Sequence, residues 1–198
     1  MPKPKDQKDY DTLIRSVSHE LFEEHGVENV SMHQIAKKAA IGQATLYRRY
    51  ANKGELCMAI LSSDTAAFLH ELDLFMEKSR KEELPALDVL SGVIEKAAQY
   101  ICSKAKILVI VKNEYGRNLL LLQYNHPVFM HLQEIIESIY VKAMNENEII
   151  PIDVPLVTQL LIAALNPDLF LHKQSEEDFD EEAMIDGIKL LYVERLKK

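Results

Sequence analysis

The sequence predicts an all-α protein, and three observations indicate this class. The 198 residues include only six glycines and seven prolines, so few positions break a helix. Hydrophobic residues make up 47% of the chain and recur at the three- and four-residue spacing of amphipathic helices. Two capping-box patterns, at Ser31–Gln34 and Asn52–Glu55, mark helix starts. A chain of this length can bury a substantial hydrophobic core.

The first third of the chain predicts three short helices followed by a long one. Gly26 supplies the left-handed conformation that closes the first helix. The capping boxes at Ser31 and Asn52 open the second and fourth helices, and Val30 and Ile35 form a hydrophobic staple around the first box. The predicted ranges of these helices are 9–25, 31–39, 43–50 and 53–78.

The remaining sequence predicts further helices and a second domain. Their ranges are 86–103, 105–122 with a break near Gly116, 126–146, 154–172 and 176–196. The sequence does not determine the conformation of residues 112–125. The chain shows no internal repeat or flexible linker, so we expect two domains, 1–52 and 53–198, joined through the long helix. Residues 1–8 are expected to form a disordered tail.

The composition excludes several classes of protein. Cys57 and Cys102 stand apart without a Cys-x-x-Cys pair, which argues against a disulfide scaffold or a zinc site and fits a reduced cytoplasm. No apolar run reaches the length of a membrane span. Phosphate-binding loops, Gly-x-Ser-x-Gly and His-Glu-x-x-His are absent from the sequence. We therefore expect a cytoplasmic protein that is not an enzyme, with no membrane partner, cofactor or metal.

Positive charge is concentrated near the N-terminus although the net charge is −8. Residues 1–56 carry a net charge of +1, and the rest of the chain carries −9. The window Asn29–Gly54 contains no acid. Because local charge determines electrostatic partners, this window predicts an anionic partner. Its cations are Lys37, Lys38, Arg48, Arg49 and Lys53.

The two faces of the helix 43–50 predict different roles. At 100° per residue, Leu46 and Tyr50 share the side that must be buried. The opposite side and its flanks combine a small residue, hydroxyl groups and side chains that can contact base edges. A solvated polar face is the alternative interpretation. The residues on this exposed side are Gln43, Ala44, Thr45, Tyr47, Arg48 and Arg49.

Lys53 gives an independent indication of an anion. It lies in the first turn of the long helix, where a cation opposes the helix dipole. A phosphate held between Lys53 and the free backbone N–H groups would reverse this cost.

Residues 10–60 resemble the DNA-binding region of the TetR (tetracycline-repressor-like) family. The matching residues are Leu21-Phe22, His25-Gly26, Ser31, Ile35-Ala36, Ala39-Ala40-Ile41, Thr45-Leu46-Tyr47, Tyr50, Asn52-Lys53 and Leu56. Two positions depart from the family pattern, since Ala40 stands where glycine is common and Gly42 where a capping serine is usual. The rest of the chain is similar to the family only in its length and helical character.

The resemblance implies a homodimer that binds double-stranded operator DNA. Its two recognition helices would enter successive major grooves about 34 Å apart. The DNA-contacting positions that it implies are Ser31, Met32, His33, Gln43, Ala44, Thr45, Tyr47, Arg48, Arg49 and Lys53.

The same resemblance implies a dimer interface made by the last two helices and an effector pocket among the middle helices. Packing within the core of one chain is the alternative role for each of these residues. The candidate interface residues are Val157, Leu160, Leu161, Ala164, Leu165, Ile185, Ile188, Leu191 and Tyr192. The candidate pocket residues are Phe68, Phe75, Tyr100, Tyr115, Tyr124, Phe129, Met130, Asn166 and Phe170.

The leading hypothesis is a transcriptional regulator, expected to be a repressor that a small-molecule effector releases from a palindromic operator. One alternative is a helical interaction protein whose basic face binds a protein or another polyanion. Another is a ligand-binding or enzymatic helical bundle that does not bind DNA.

Overall fold

A computed structural model of the protein describes residues 7–115 and 127–198, and this part of the chain is almost entirely helical. The described residues form no strand beyond an isolated antiparallel bridge between Ile149 and Lys197. The all-α prediction is therefore confirmed. The helices, numbered here in chain order, are α1 (Gln7–His25), α2 (Met32–Lys38), α3 (Gln43–Tyr47), α4 (Lys53–Lys81), α5 (Ala86–Tyr115), α6 (Pro127–Asn145), α7 (Val154–Ala164), α8 (Pro167–Gln174) and α9 (Glu181–Tyr192).

Local capping signals fix the ends of α1 and α2 where the sequence predicts them. Gly26 follows α1 with φ 80° and donates its N–H to the Phe22 carbonyl at 2.9 Å. The Ser31 hydroxyl accepts the N–H of Gln34, and the Gln34 side chain accepts the N–H of Ser31. Both halves of this predicted capping box are present, so α2 begins at a fixed point.

The start of α4 uses a variant of the second predicted capping box. The Asn52 side chain accepts the N–H of Glu55 at 2.8 Å. The Glu55 carboxylate reaches one residue further than the pattern predicts and accepts the N–H of Ala51.

The connection from α2 to α3 passes through Ala40 in a left-handed conformation, with φ 54°. Helix α3 ends at Tyr47, three residues earlier than predicted, although Arg48 keeps a right-handed helical conformation. Leu46 and Tyr50 are buried as predicted. These two side chains anchor α3 to the core of the N-terminal helices.

Three predicted boundaries in the second half of the chain are wrong. Helix α5 continues without a gap through residues 103–105 to Tyr115. The predicted helix 154–172 is broken after Ala164, because Asn166 caps α8 and Pro167 is its first residue. The last long helix begins at Glu181, since Asp180 rather than Ser175 supplies the N-cap.

The chain divides into two compact units. One comprises the described residues up to Asp64 together with 106–115, and the other comprises 65–105 and 127–198. The predicted boundary at residues 52 and 53 stays a prediction. Residues 7 and 8 of the predicted disordered tail form the first turn of α1, and residues 1–6 lie outside the described residues.

One stretch, Val154–Gln174, is long and apolar enough to cross a membrane by length and composition alone. The break between α7 and α8 divides it. The 11 residues of α7 span roughly 16 Å, about half the thickness of a bilayer core. Leu161 and Phe170 within the stretch are fully buried in the second unit, where they pack in its hydrophobic core.

Candidate nucleic-acid interface

Six of the ten predicted DNA-contacting residues share one exposed surface of the first unit. It is formed by the start of α2 and the outer side of α3, and we call it the α2–α3 surface. Tyr47 is 49% exposed there, whereas Leu46 beside it is completely buried. The members of the α2–α3 surface are Ser31, His33, Gln43, Ala44, Tyr47 and Arg48.

The two adjacent arginines, Arg48 and Arg49, have different surroundings in the structure. The Arg48 side chain is exposed and has no hydrogen-bond or ion-pair partner within the part of the chain that the structure describes. The Arg49 side chain is only 10% exposed, and its Nη1 donates to Asp11 Oδ1 at 2.8 Å. Arg49 therefore forms a structural ion pair, its side chain is not exposed as the helix periodicity predicts, and its role as a DNA contact stays a prediction.

The Arg49 side chain, two residues after the end of α3, contacts α1. Its guanidinium carbon lies 5.2 Å from the centre of the Tyr10 ring, which is a cation–π distance. Burial raises the pKa of the neighbouring Tyr50 hydroxyl, and the carboxylate of Asp11 raises it further. The Tyr50 phenol therefore stays neutral. The contacts of Arg49 with Tyr10 and Asp11 attach the chain just after α3 to α1.

The same helix α1 neutralises a second cation of the basic window. Lys38 Nζ lies 3.3 Å from a carboxylate oxygen of Glu20 and 3.4 Å from one of Glu24. The window Asn29–Gly54 contains no acid in sequence, but the fold brings acids to it from α1. The local charge available to an anionic partner is therefore smaller than the sequence predicts.

Lys37 is a basic residue that the predicted contact list omits. It is exposed in the last turn of α2 and forms no ion pair with any acid among residues 7–115 and 127–198. Its place in the basic window was visible in the sequence. The sequence could not show that Lys37 would lack an acidic neighbour while Lys38 would have two.

Three predicted contacts have side chains that the fold uses or covers. Met32 is only 7% exposed and belongs to the core between the first helices, so little of its side chain is available to DNA. Thr45 is half-buried. The Ser31 hydroxyl is exposed but already bonds to Gln34, both as an acceptor from N–H and as a donor to Oε1.

Lys53 is the first residue of α4, as the sequence predicts. Its Nζ lies 3.4 Å from the carbonyl oxygen of Glu28 and 6.0 Å from the centre of the Phe22 ring. These contacts hold the ammonium group near the N-terminus of α4. They also offset part of the unfavourable helix-dipole interaction, which the sequence alone assigned to an external anion.

His33 and Gln43 contact each other across the turn between α2 and α3. The amide nitrogen of Gln43 bonds to Nδ1 of the His33 ring, and both side chains are exposed. The amide can only donate through its nitrogen, so Nδ1 accepts in this arrangement.

Sequence comparison identifies this N-terminal arrangement. Residues 14–60 match the family model of the bacterial regulatory proteins of the tetR family. Residues 14–60 of this chain are therefore similar to the tetR family. An HTH-type transcriptional regulator of Staphylococcus aureus (strain USA300) is 43% identical over 65 residues, which cover 33% of this chain and 35% of the relative. The chain thus aligns with about a third of the length of the curated relatives it matches.

Solved structures extend the similarity of fold to nearly the whole chain. A transcriptional regulator of the TetR/AcrR family from Thermobifida fusca superposes with a TM-score of 0.71 at 16% identity, covering 96% of this chain and 100% of the other. The regulator FadR from Bacillus subtilis, solved in complex with stearoyl-CoA, gives a TM-score of 0.64 at 21% identity, covering 92% and 97%. The TetR fold therefore includes the helical C-terminal part.

The predicted effector-pocket residues lie in several different settings within the second unit. Phe68 and Phe170 are buried in its core, and Phe68 stacks on Tyr100 with ring centres 4.4 Å apart. Phe75 and Phe129 are half-buried, and Met130 is 49% exposed. Of the remaining aromatic candidates, the Tyr115 side chain and Tyr124 lie outside the described residues.

The Asn166 side chain caps a helix. Its side-chain oxygen accepts the N–H of Asp168 at 2.9 Å and caps α8. The hydrogen-bonding need of this amide, which made it a candidate ligand contact, is therefore met at least in part by the fold.

The predicted dimer-interface residues divide between the core and the surface. Four of them are buried within the single chain, which fits the alternative of packing in the core of one chain: Leu161, Leu165, Ile185 and Ile188. Helices α7 and α9 pack against each other, and this contact uses their inner sides. Val157, Ala164 and Tyr192 are half-buried.

The outer sides of α7 and α9 carry exposed leucines. Leu160 and Leu191, both predicted for the interface, are 50% and 61% exposed. Leu156 and Leu190, which the prediction omits, are 53% and 46% exposed. Gly187 lies one turn before Leu190 and Leu191 on α9, and no other described part of the chain, apart from its neighbours and its own helix backbone, comes within 4 Å of the position that a Cβ would occupy. We call Leu156, Leu160, Leu190 and Leu191 the α7–α9 leucine face.

Proposed function

We propose that this protein is a transcriptional regulator that binds operator DNA as a homodimer through the α2–α3 surface. The observation that carries the proposal is the exposed Arg48, which forms no ion pair with any acid among residues 7–115 and 127–198 and lies with Gln43 and Tyr47 on the outer side of α3. Arginine, glutamine and tyrosine side chains supply the phosphate and base contacts typical of a helix in the major groove. Such a regulator acts in the cytoplasm and needs no enzymatic activity.

The pairing of the basic residues with acids predicts how strongly the DNA affinity depends on salt. Lys37 and Arg48 have no acidic partner in the described ranges, whereas Lys38 and Arg49 are paired with acids of α1. With two phosphate contacts per subunit, a dimer has a slope of about −4 for log affinity against log salt. If all five cations of the window bound phosphate, the slope would be about −9.

Binding of the full chain to a random-sequence duplex at several salt concentrations tests this proposal. We expect a slope near −4, and Lys37→Ala should reduce its magnitude by about one unit per subunit. Lys81→Ala, in the exposed last turn of α4, is the matched control and should not change it. Absence of duplex binding would favour the alternative of a basic face that binds a protein.

We further propose that the α7–α9 leucine face forms the dimer interface. Four exposed leucines on two adjacent helices are an apolar surface that a second copy can bury, and Gly187 allows close helix approach. The double variant Leu160→Glu/Leu191→Glu should therefore sediment as a monomer. Leu74→Glu changes an equally exposed leucine of α4 and should remain a dimer. A dimer that persists in the double variant would disprove this interface.

We propose that the second unit binds a small-molecule effector that lowers operator affinity, so that the protein acts as a repressor. The stacked pair of the buried Phe68 and the half-buried Tyr100 supplies aromatic rings for such a ligand. Stearoyl-CoA, which the B. subtilis regulator binds, is the first probe. An effector must raise the midpoint of thermal unfolding and reduce operator affinity, because the two binding events are linked.

A further inference from the structure

The contact between His33 and Gln43 fixes the direction of an exposed amide group. His33 is the second residue of α2, and Gln43 is the first residue of α3. One N–H of the Gln43 amide is donated to His33 Nδ1. An unrestrained glutamine on a surface samples several rotamers, and this contact selects the one that bridges the two helices.

The contact leaves two polar atoms of the Gln43 amide available. Within the residues that the structure describes, its oxygen and its second N–H form no other hydrogen bond, and the side chain is exposed. A carbonyl oxygen and an N–H now lie side by side in one plane with a set direction. This is an acceptor and donor pair of fixed geometry on the α2–α3 surface.

Such a pair matches one base edge in the major groove. Adenine presents a donor at N6 beside an acceptor at N7, and glutamine binds both in a bidentate contact. Guanine presents two acceptors, O6 and N7, so the amide oxygen would face another oxygen. With one amide N–H held by His33, the remaining pair favours adenine over guanine.

We propose that His33 is a positioning residue that holds the Gln43 amide so that it reads adenine in each operator half-site. The inference rests on the proposed function, because it requires α3 to face the major groove. Since the amide is oriented before binding, little rotamer freedom is lost when the base contact forms. His33 thus contributes to sequence preference without contacting the base itself.

The first experiment compares full-length variants in selection from a random duplex pool, followed by affinity measurements on the selected site and its single-base variants. The wild type should prefer adenine at one position of each half-site by at least about tenfold over guanine. Gln43→Ala should reduce this preference to about twofold or less, and His33→Ala should reduce it by about threefold or more. His33→Asn keeps a side-chain acceptor near the position of Nδ1 and should restore much of the preference. His19→Ala, which removes an exposed histidine of α1, is the control and should match the wild type.

A double variant separates positioning from direct base contact. If His33 acts through Gln43, His33→Ala has no further effect on the adenine preference in a Gln43→Ala background. An additional loss in that background would overturn the proposal and make His33 a base-contacting residue. Thermal unfolding of each variant checks that the fold is kept, which we expect because both side chains are exposed.

The outcomes distinguish this inference from the proposed function. If the wild type enriches no sequence, both fail, because the α2–α3 surface does not read DNA. If the wild type enriches a site but Gln43→Ala leaves every base preference unchanged, only the adenine-reading inference fails.

Discussion

Alanine variants of the adjacent residues Arg48 and Arg49 should lose different properties. Arg48 is exposed and forms no ion pair with any acid in 7–115 or 127–198, so Arg48→Ala removes one DNA contact per subunit. Loss of one phosphate contact lowers the salt slope by about 0.9, which is roughly an eightfold loss of affinity per subunit at 0.1 M salt. Its midpoint of thermal unfolding should not change, because an exposed substitution alters the free energy of unfolding by less than about 0.5 kcal/mol.

Arg49→Ala should instead reduce stability and leave the salt slope unchanged. It removes a 2.8 Å charged hydrogen bond from a side chain that is only 10% exposed. Such bonds contribute about 1.5–3 kcal/mol to the free energy of unfolding. Asp11 is 35% exposed, so solvent weakens the pair, and we take about 2 kcal/mol. For a chain of this length, that lowers the unfolding midpoint by about 4–8 °C.

The assay is fluorescence anisotropy of the full chain on a random-sequence duplex, between about 50 and 200 mM salt. Circular dichroism melts of the same samples report stability. The reasoning is refuted if Arg49→Ala reduces the salt slope as much as Arg48→Ala does while its unfolding midpoint stays at the wild-type value.

Three further substitutions test the packing. Gly92→Ala should lower the free energy of unfolding by about 1 kcal/mol, and with it the unfolding midpoint, because the new Cβ would lie 2.4 Å from Cζ of Phe75. An unchanged or higher midpoint would show that the ring moves freely. Ala40→Gly should raise the free energy of unfolding by about 0.5–1 kcal/mol in a urea titration, since φ is 54° and glycine adopts this conformation without strain. Tyr140→Phe should cost about 1 kcal/mol at pH 7, because the buried hydroxyl donates to the Tyr192 carbonyl at 2.9 Å. Burial raises the pKa of Tyr140. The stability that its neutral hydroxyl contributes is therefore complete below the pKa of the unfolded chain, about 10, and is lost as the pH rises above that value. From roughly pH 9 to 11 the variant should lose less stability than the wild type, and an equal loss would contradict this account.

Features decided by residues close in sequence could be predicted. The Ser31–Gln34 capping box and the left-handed Gly26 depend on a few neighbouring atoms, and both are present. Where two capping residues compete, sequence does not choose between them. Ser175 and Asp180 are both good N-caps, but Ser175 is the C-cap of α8, which leaves Asp180 as the N-cap of α9.

Features decided by distant segments could not be predicted. The periodicity of α3 places Arg48 and Arg49 on the outer side and its flank, and only the path of α1 determines that Arg49 meets Asp11. Leu160 and Leu161 are also adjacent and chemically identical. One is exposed and the other is buried, because α7 packs against other helices on one side only.

The most direct test of the central claim is selection of duplexes from a random pool by the full-length protein. The account predicts an enriched inverted repeat whose half-site centres lie about one helical turn, or a multiple of it, apart. It also predicts that Arg48→Glu abolishes this enrichment while the unfolding midpoint is kept. Enrichment of no sequence, or of the same sequence by Arg48→Glu, would contradict the assignment of the α2–α3 surface to DNA.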